Sequence, residues 1–254
     1  MLNERHQKIL QLLEAEKYIT VQDLSEMLEV SLVTIRKDLT ALENDGLLYR
    51  THGGASRKSH YAFEENVIKK ENIQVEAKQK IARKALEFIK DNEFIILASG
   101  TTIHYLARIL GERCVTVLTT SLRASIELCR DNNVKVIKLG GEIRKSSASV
   151  VGAFAEDMLR NFSCNKLFLG VDGIDVDFGI STSNANEAHL NQVMIEQSDV
   201  IFVLADSSKI NKRSFAKICD ISKINFFITD NMIEDEDVRK LEDAGVQVII
   251  AENL

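Results

Sequence analysis

Residues 20–55 read TVQDLSEMLEV (20–30), SLVTIRKDLTALENDGLL (31–48) and YRTHGGA (49–55). Thr20 with Asp23 three positions on predicts a capping box that opens a helix, from which Leu24, Met27 and Leu28 point inward. Glu29 and Val30 make a short turn, and Ser31 caps a second helix. Leu32, Ile35, Leu39 and Leu42 of that helix fall on one apolar face, while Val33, Thr34 and Lys37 project from the opposite side with Arg36 on its flank. Gly46 suits the left-handed position that ends the helix. A short strand through Tyr49, Arg50 and His52 into Gly53-Gly54 then reads as a hairpin.

Two capped helices followed by a basic hairpin predict a winged helix-turn-helix. The second helix lies in the major groove, where Arg36 and Lys37 donate to guanine edges or phosphates and Val33 and Thr34 meet a thymine methyl. Ser31 starts that helix, and Arg50, His52, Gly53 and Gly54 form a wing near phosphates or the minor groove. A protein-binding helical domain with an exposed Arg-Lys pair is the alternative; the caps, the spacing and the hairpin together favour DNA. Upstream, a helix from Asn3 to Glu16 with Ile9, Leu10, Leu12 and Leu13 on one face completes the module.

The module is a fraction of a 254-residue chain. The net charge of −6 does not mark a protein that coats nucleic acid, yet residues 31–60 carry five basic side chains against three acidic ones. No apolar run approaches the roughly 18 residues of a membrane span. The charged start MLNERHQKIL is unlike a signal peptide, so a cytoplasmic protein is expected. Cys114, Cys129, Cys164 and Cys219 are widely spaced and form no CxxC pair, which predicts buried reduced thiols and no metal site.

Residues 57–74 are polar and mixed in charge and read as a linker between a DNA-binding domain over 1–56 and a larger domain over 75–254. After an amphipathic helix with Ile81, Ala82, Ala85, Leu86 and Ile89 on one face, strand candidates recur at 94–98, 115–119, 134–139, 166–171, 200–205, 224–229 and 246–251. Helical segments separate them, which predicts an α/β fold with a mostly parallel sheet covered on both faces. Ligands bind such sheets beyond the carboxyl ends of the strands. There the chain places Ser99-Gly100-Thr101-Thr102 at a helix start, suited to a phosphate, and further loops with Ser121, Gly140, Gly141, Arg144, Asp172, Glu187 and Lys209. A single such loop is more often a turn or a cap; several on one sheet edge favour a polar, phosphorylated ligand.

TIRKDLTALENDGLLYRTHGGA resembles the N-terminal signature of the DeoR family of bacterial transcriptional regulators, with Lys37 where that family has arginine. SGTT, GGEIR, GVDGID, NEA and ADSSK, in this order, resemble its sensor domain, of ribose-5-phosphate-isomerase and CoA-transferase type, so the likeness covers nearly the whole chain. It implies a repressor of a carbohydrate-utilisation operon that binds double-stranded operator DNA, responds to a phosphorylated sugar and forms a homo-oligomer, dimer or tetramer. It also implies that Ser99, Gly100, Thr101, Thr102, Ser121, Gly140, Gly141, Arg144, Asp172, Glu187 and Lys209 line the effector site, with no cofactor and no catalytic residue. Ala98 and Thr120 depart from the family pattern at positions expected to touch that site. The alternative is a sugar-phosphate isomerase with an added DNA-binding domain, with Glu187 as base and Lys209 as cation. Against it, FGISTS (178–183) replaces the glycine-rich lysine loop of that enzyme. A CoA transferase, the third reading, lacks an evident CoA-binding region.

Overall fold

The computed structural model describes residues 3–16, 18–45, 47–50, 53–56, 61–62 and 67–252. They belong to two compact units, Met1–His60 and Tyr61–Leu254.

In the first unit, Asn3 caps α1 (Glu4–Ala15) by accepting from the His6 amide. β1 (Tyr18–Thr20) leads into α2 (Val21–Met27), where Thr20 and Asp23 close the capping box. Ser31 caps α3 (Leu32–Asn44) by accepting from the Thr34 amide. Each such cap stabilises its helix by about 1 kcal/mol. β2 (Tyr49–Arg50) and β3 (Gly54–Ser56) form an antiparallel sheet in the order β1-β3-β2. Ile9, Leu13, Ile19, Leu24, Ile35, Leu39, Leu42 and Leu48 make its core. Two expected core residues lie outside it: Met27 is 54% and Leu32 41% exposed. Leu32 stands in the first turn of α3, beyond the edge of the core, and the polar Asp38 is buried instead. Gly46 and His52 lie outside the described residues.

The second unit begins with β4 (Tyr61–Ala62), α4 (Val67–Glu71) and α5 (Val75–Leu86). There follow β5 (Phe94–Leu97), α6 (Thr101–Ile109), β6 (Val115–Thr119), α7 (Leu122–Leu128), β7 (Val134–Lys138), β8 (Glu142–Arg144), β9 (Ser149–Val151) and α8 (Ala153–Leu159). The rest runs through β10 (Cys164–Leu169), β11 (Gly173–Asp175), β12 (Gly179–Thr182), α9 (Ala185–Glu196), β13 (Ser198–Leu204), β14 (Arg213–Ser214), β15 (Ala216–Cys219), β16 (Phe226–Asp230), α10 (Asp235–Asp243) and β17 (Gln247–Ala251).

Seven strands pair in parallel in the order β17-β16-β13-β10-β5-β6-β7. Successive side chains alternate between its faces. Leu167, Leu169, Ile201 and Val203 pack with α8, α9 and α10 on one side, whereas Phe168, Phe202 and Leu204 pack with α5, α6 and α7 on the other. The strand order reverses at β5 and β10: from β5 the chain winds outward through β6 to β7, and from β10 the other way to β17. That is a topological switch point, where loops diverge to opposite faces and leave a crevice at the strand ends.

The connector expected over 57–74 includes elements of this second unit. β4 pairs with β14, and the Val67 amide donates to the Ser146 carbonyl at 2.8 Å. The thiols also differ from expectation: Cys164 is buried and Cys219 half-buried, but Cys114 and Cys129 are exposed, because each stands just outside an element end, before β6 and after α7.

Candidate functional site

Among the exposed side chains of α3, Val33, Arg36, Lys37 and Thr40 are spaced to share one stripe opposite Ile35, Leu39 and Leu42. Ser31 and Thr34 sit at the start of that stripe, their hydroxyls 2.9 Å apart. The wing joins it directly: Arg50 Nη1 donates to Thr40 Oγ1 at 2.7 Å, and the Arg50 amide donates to Glu43 Oε1 at 3.0 Å. Thr40 carried no sequence signal, since threonine at that position reads as filler of a polar face. Gly53 is exposed and its carbonyl accepts from the Val21 amide. Gly54 is buried in β3 opposite Thr20, so it serves the sheet and presents no surface.

Asp38 fixes the back of α3. It accepts from Arg5 Nε and, at 3.0 Å, from Arg5 Nη2, and its Oδ1 lies 3.2 Å from His6 Nε2. The Arg5 guanidinium holds this carboxyl below its usual range despite its burial, and His6 adds to the effect.

In the second unit, the crevice at the switch point is lined by three strand-end loops: Ser99–Thr102 after β5, Gly170–Asp172 after β10, and Ala205–Lys209 after β13. Gly100 starts α6 at φ +130°, a region that L side chains rarely adopt. A Cβ on Gly170 would come within 3.1 Å of the Ser99 carbonyl, so the close approach of the first two loops favours glycine at 170, while Gly100 is called for by its φ. No side chain caps α6. Its first-turn amides, beside the Thr101 and Thr102 hydroxyls, therefore offer an anion site at the positive end of the helix dipole.

Charged groups face this helix end. Lys209 follows β13 and makes no ion pair among the described residues. Lys70 of α4 donates to Asp172 Oδ1 at 2.5 Å. Burial raises the Asp172 carboxyl, but Lys70, Lys209 and the Ser183 amide outweigh it and hold it below the usual range. Arg144 of β8 lies 3.3 Å from Glu187 Oε1, which also accepts from Ser149 Oγ at 3.2 Å. Thr182 Oγ1 stands within reach of both acids, 3.3 Å from Asp172 Oδ2 and 3.5 Å from Glu187 Oε2. Such a cavity offers cations and helix-start amides to an anion, and carboxylates to hydroxyl groups.

Of the residues expected here, Ser99, Gly100, Thr101, Thr102, Arg144, Asp172, Glu187 and Lys209 line the crevice, and Ser121, Gly140 and Gly141 do not. Ser121 caps α7 by accepting from the Ala124 amide. Gly140 and Gly141 precede the β8–β9 hairpin, where a Cβ on Gly141 would meet Val150 at 2.7 Å. Ala98 is buried in the sheet core, and the Thr120 carbonyl accepts from Val150 and Lys138, so neither departure from the family pattern lines the crevice. The lining also includes Lys70, Lys78, Ser146, Ser147, Thr182, Ser183, Asp206 and Ser208. Lys70 lies in the mixed-charge stretch and Lys78 among the polar positions of the amphipathic helix that follows, with no local pattern to distinguish either. The buried Lys78 donates to the Lys70 and Ile73 carbonyls and so ties α5 to the end of α4. Among the described residues, no group of His, Cys, Asp and Glu has the arrangement of a metal site.

Residues 5–60 match the DeoR-like helix-turn-helix domain, and residues 73–231 match the DeoR C terminal sensor domain. The uncharacterized HTH-type transcriptional regulator YulB of Bacillus subtilis (strain 168) is 38% identical, over 98% of this chain and 96% of its own. The putative aga operon transcriptional repressor of Escherichia coli O157:H7 is 37% identical, over 98% and 93%. The lactose phosphotransferase system repressor of Staphylococcus epidermidis is 30% identical, over 97% and 98%. Among solved structures, ribose 5 phosphate isomerase A from Neisseria gonorrhoeae overlaps 54% of this chain and 53% of its own, at 20% identity and a TM-score of 0.40.

Proposed function

The chain belongs to the DeoR family of DNA-binding transcriptional regulators, and on that premise we propose that it represses a carbohydrate-utilisation operon under control of a phosphorylated sugar. The exposed stripe of α3, with Ser31, Val33, Thr34, Arg36 and Lys37, enters the major groove, and Arg50 and Gly53 of the wing follow the backbone. A homo-oligomer, dimer or tetramer, sets two or more such modules at the spacing of repeated half-sites. Binding takes place in the cytoplasm.

One observation carries the sugar-phosphate reading: the uncapped start of α6 and Lys209 line one crevice, together with carboxylates, hydroxyls and the further cations Lys70, Lys78 and Arg144. The phosphate sits at Thr101 and Thr102 with Lys209, and the sugar hydroxyls bond to Asp172, Glu187 and Ser147. The effector alters operator affinity through its differential affinity for two arrangements of the protein. A coupling of about 1–3 kcal/mol shifts that affinity by about 5–150-fold. The isomerase alternative is not favoured. The family models and the curated relatives are those of regulators, and Glu187 is engaged by Arg144 and Ser149.

The test is thermal unfolding against a panel of phosphorylated sugars and their free forms. A ligand bound only by the native state raises the melting temperature by mass action. One sugar phosphate shifts the transition and its free sugar does not; incubating that hit with the protein yields no aldose–ketose product. A panel without any shift would remove the crevice from its role.

A further inference from the structure

Val67, Lys70 and Ile73 bring the segment that follows the first unit into the lining of the crevice, and Lys70 is the charged one of the three. α4 begins at Val67, seven positions after His60, the last residue of the first unit. Among the described residues, three bonds hold this short helix to the rest of the second unit besides that from Lys78 to the Lys70 carbonyl. The Val67 amide donates to Ser146, Glu71 accepts from Arg123 Nη2 at 2.6 Å, and Lys70 pairs with Asp172. Among the described residues, the last is the ion pair of α4 whose two charged groups both line the crevice.

We propose that Asp172 is an internal competitor for the ligand's anion: its carboxylate holds Lys70, and an anion seated at Thr101 takes that ammonium over and frees α4 from the strand-end loop after β10. This inference rests on the sugar-phosphate reading above and adds how the site acts on the connector. The charges decide the sense. Among the charged groups that line the crevice, Lys70 and Lys209 favour an anion at the start of α6, and Asp172 repels it and neutralises Lys70; Arg144 is held by Glu187 and Lys78 by backbone carbonyls. Removing the carboxylate's charge removes both the repulsion and the competition. Asp172 thus works against anion binding, opposite to the role of an ordinary lining residue. The energy the anion gains from Lys70 is set against the ion pair it breaks, and that exchange is what gives the ligand differential affinity for two positions of α4.

The probe is inorganic phosphate, with the full-length protein, followed by thermal shift and by hydrogen exchange of the α4 amides, against chloride at equal ionic strength. Asp172→Asn binds phosphate at least about fivefold more tightly than the wild type, and its α4 amides exchange faster without phosphate. In the wild type, phosphate speeds α4 exchange. Lys70→Gln serves if Asp172→Asn does not fold: its α4 exchange is fast from the start and phosphate adds nothing. Equal or weaker phosphate binding by Asp172→Asn, or wild-type α4 exchange that stays unchanged while phosphate shifts the melting temperature, overturns the proposal and leaves the sugar-phosphate reading standing. No response to phosphate in either wild type or Asp172→Asn removes both.

Discussion

Arg5 of α1 grips Asp38 of α3 with two nitrogens, and the buried carboxylate it holds lies directly behind the exposed pair Arg36 and Lys37. Helix α3 is thus held in rotation by an ion pair and not by apolar contacts alone. Asp38→Asn lowers the melting temperature of the full-length protein and weakens DNA binding even though Asp38 is hidden from solvent. The pH dependence follows from the depressed carboxyl. The pair's contribution is complete above the unfolded value of about 3.9 and is lost as pH falls through the lower folded value. The wild-type advantage over Asp38→Asn therefore shrinks below about pH 4. A constant difference across that window would mean the carboxylate's charge contributes nothing.

The 2.7 Å bond from Arg50 to Thr40 makes the wing and α3 one surface. Arg36→Ala and Lys37→Ala each weaken binding to a selected operator, by about 1–3 kcal/mol where the contact is to a base edge. Where the contact is to a phosphate, the loss is uniform across sequences and the salt dependence falls by about one counterion. Thr40→Val, which unties Arg50 without touching its charge, weakens operator binding less than either and leaves the salt dependence nearly intact. Quantitative binding at several salt concentrations separates the three; an unchanged Arg36→Ala would take α3 out of the groove.

Much of this was legible in the sequence because the signals were local. Caps at Asn3, Thr20 and Ser31 marked helix starts, and the short apolar runs marked the seven strands of the sheet. Period-based reading erred where burial is decided by distant partners: Leu32 keeps the spacing of the apolar face yet is exposed, and Asp38 breaks it yet is buried because Arg5 and His6 await it. The crevice split the same way. Loops that follow central strands were found by position, whereas Ser121, Gly140 and Gly141 follow β6 and β7, on the outer side of the sheet away from β10. Lys70 reaches the site from 102 positions away from Asp172, a separation that no local pattern encodes.

Gly179 and Gly245 both lie at positive φ, +95° and +91°, but in different surroundings. A Cβ on Gly179 would fall 2.0 Å from the Cys219 carbonyl, against backbone that cannot swing aside, whereas one on Gly245 would meet nothing within 4 Å. Both alanine substitutions suffer the backbone strain, and only Gly179→Ala must also push β12 from β15. Gly179→Ala should lose about 1–3 kcal/mol more stability than Gly245→Ala, read by denaturant unfolding. Equal losses would show that the strands separate at no expense.

The thiols divide by environment. Burial, helped by Asp199, pushes Cys164 up to about 11, and burial with Asp220 pushes Cys219 up to about 12. The thiolate is the nucleophile, so neither reacts near neutral pH in the folded protein. A maleimide at pH 7 labels Cys114 and Cys129 in the native state and all four only after unfolding. Native labelling at Cys219, located by peptide mapping, would mean that β15 opens readily.

Lys209 and Glu187 test the polarity assigned to the crevice. Among the described residues Lys209 makes no ion pair, and Glu187 is already bound to Arg144. A charge-assisted hydrogen bond is worth about 1.5–3 kcal/mol, so Lys209→Gln weakens a sugar phosphate by about 10–100-fold and leaves the free sugar's affinity unaltered. Thr101→Val acts in the same direction by removing a hydroxyl at the phosphate. Glu187→Gln releases Arg144 and changes discrimination among sugars more than the affinity for inorganic phosphate. In cells, Lys209→Gln gives a protein that still binds DNA but no longer responds to the sugar. Calorimetry with the sugar phosphate, the free sugar and phosphate alone resolves the contributions; equal weakening of all three by Lys209→Gln would point to a collapsed crevice and not to a lost phosphate contact.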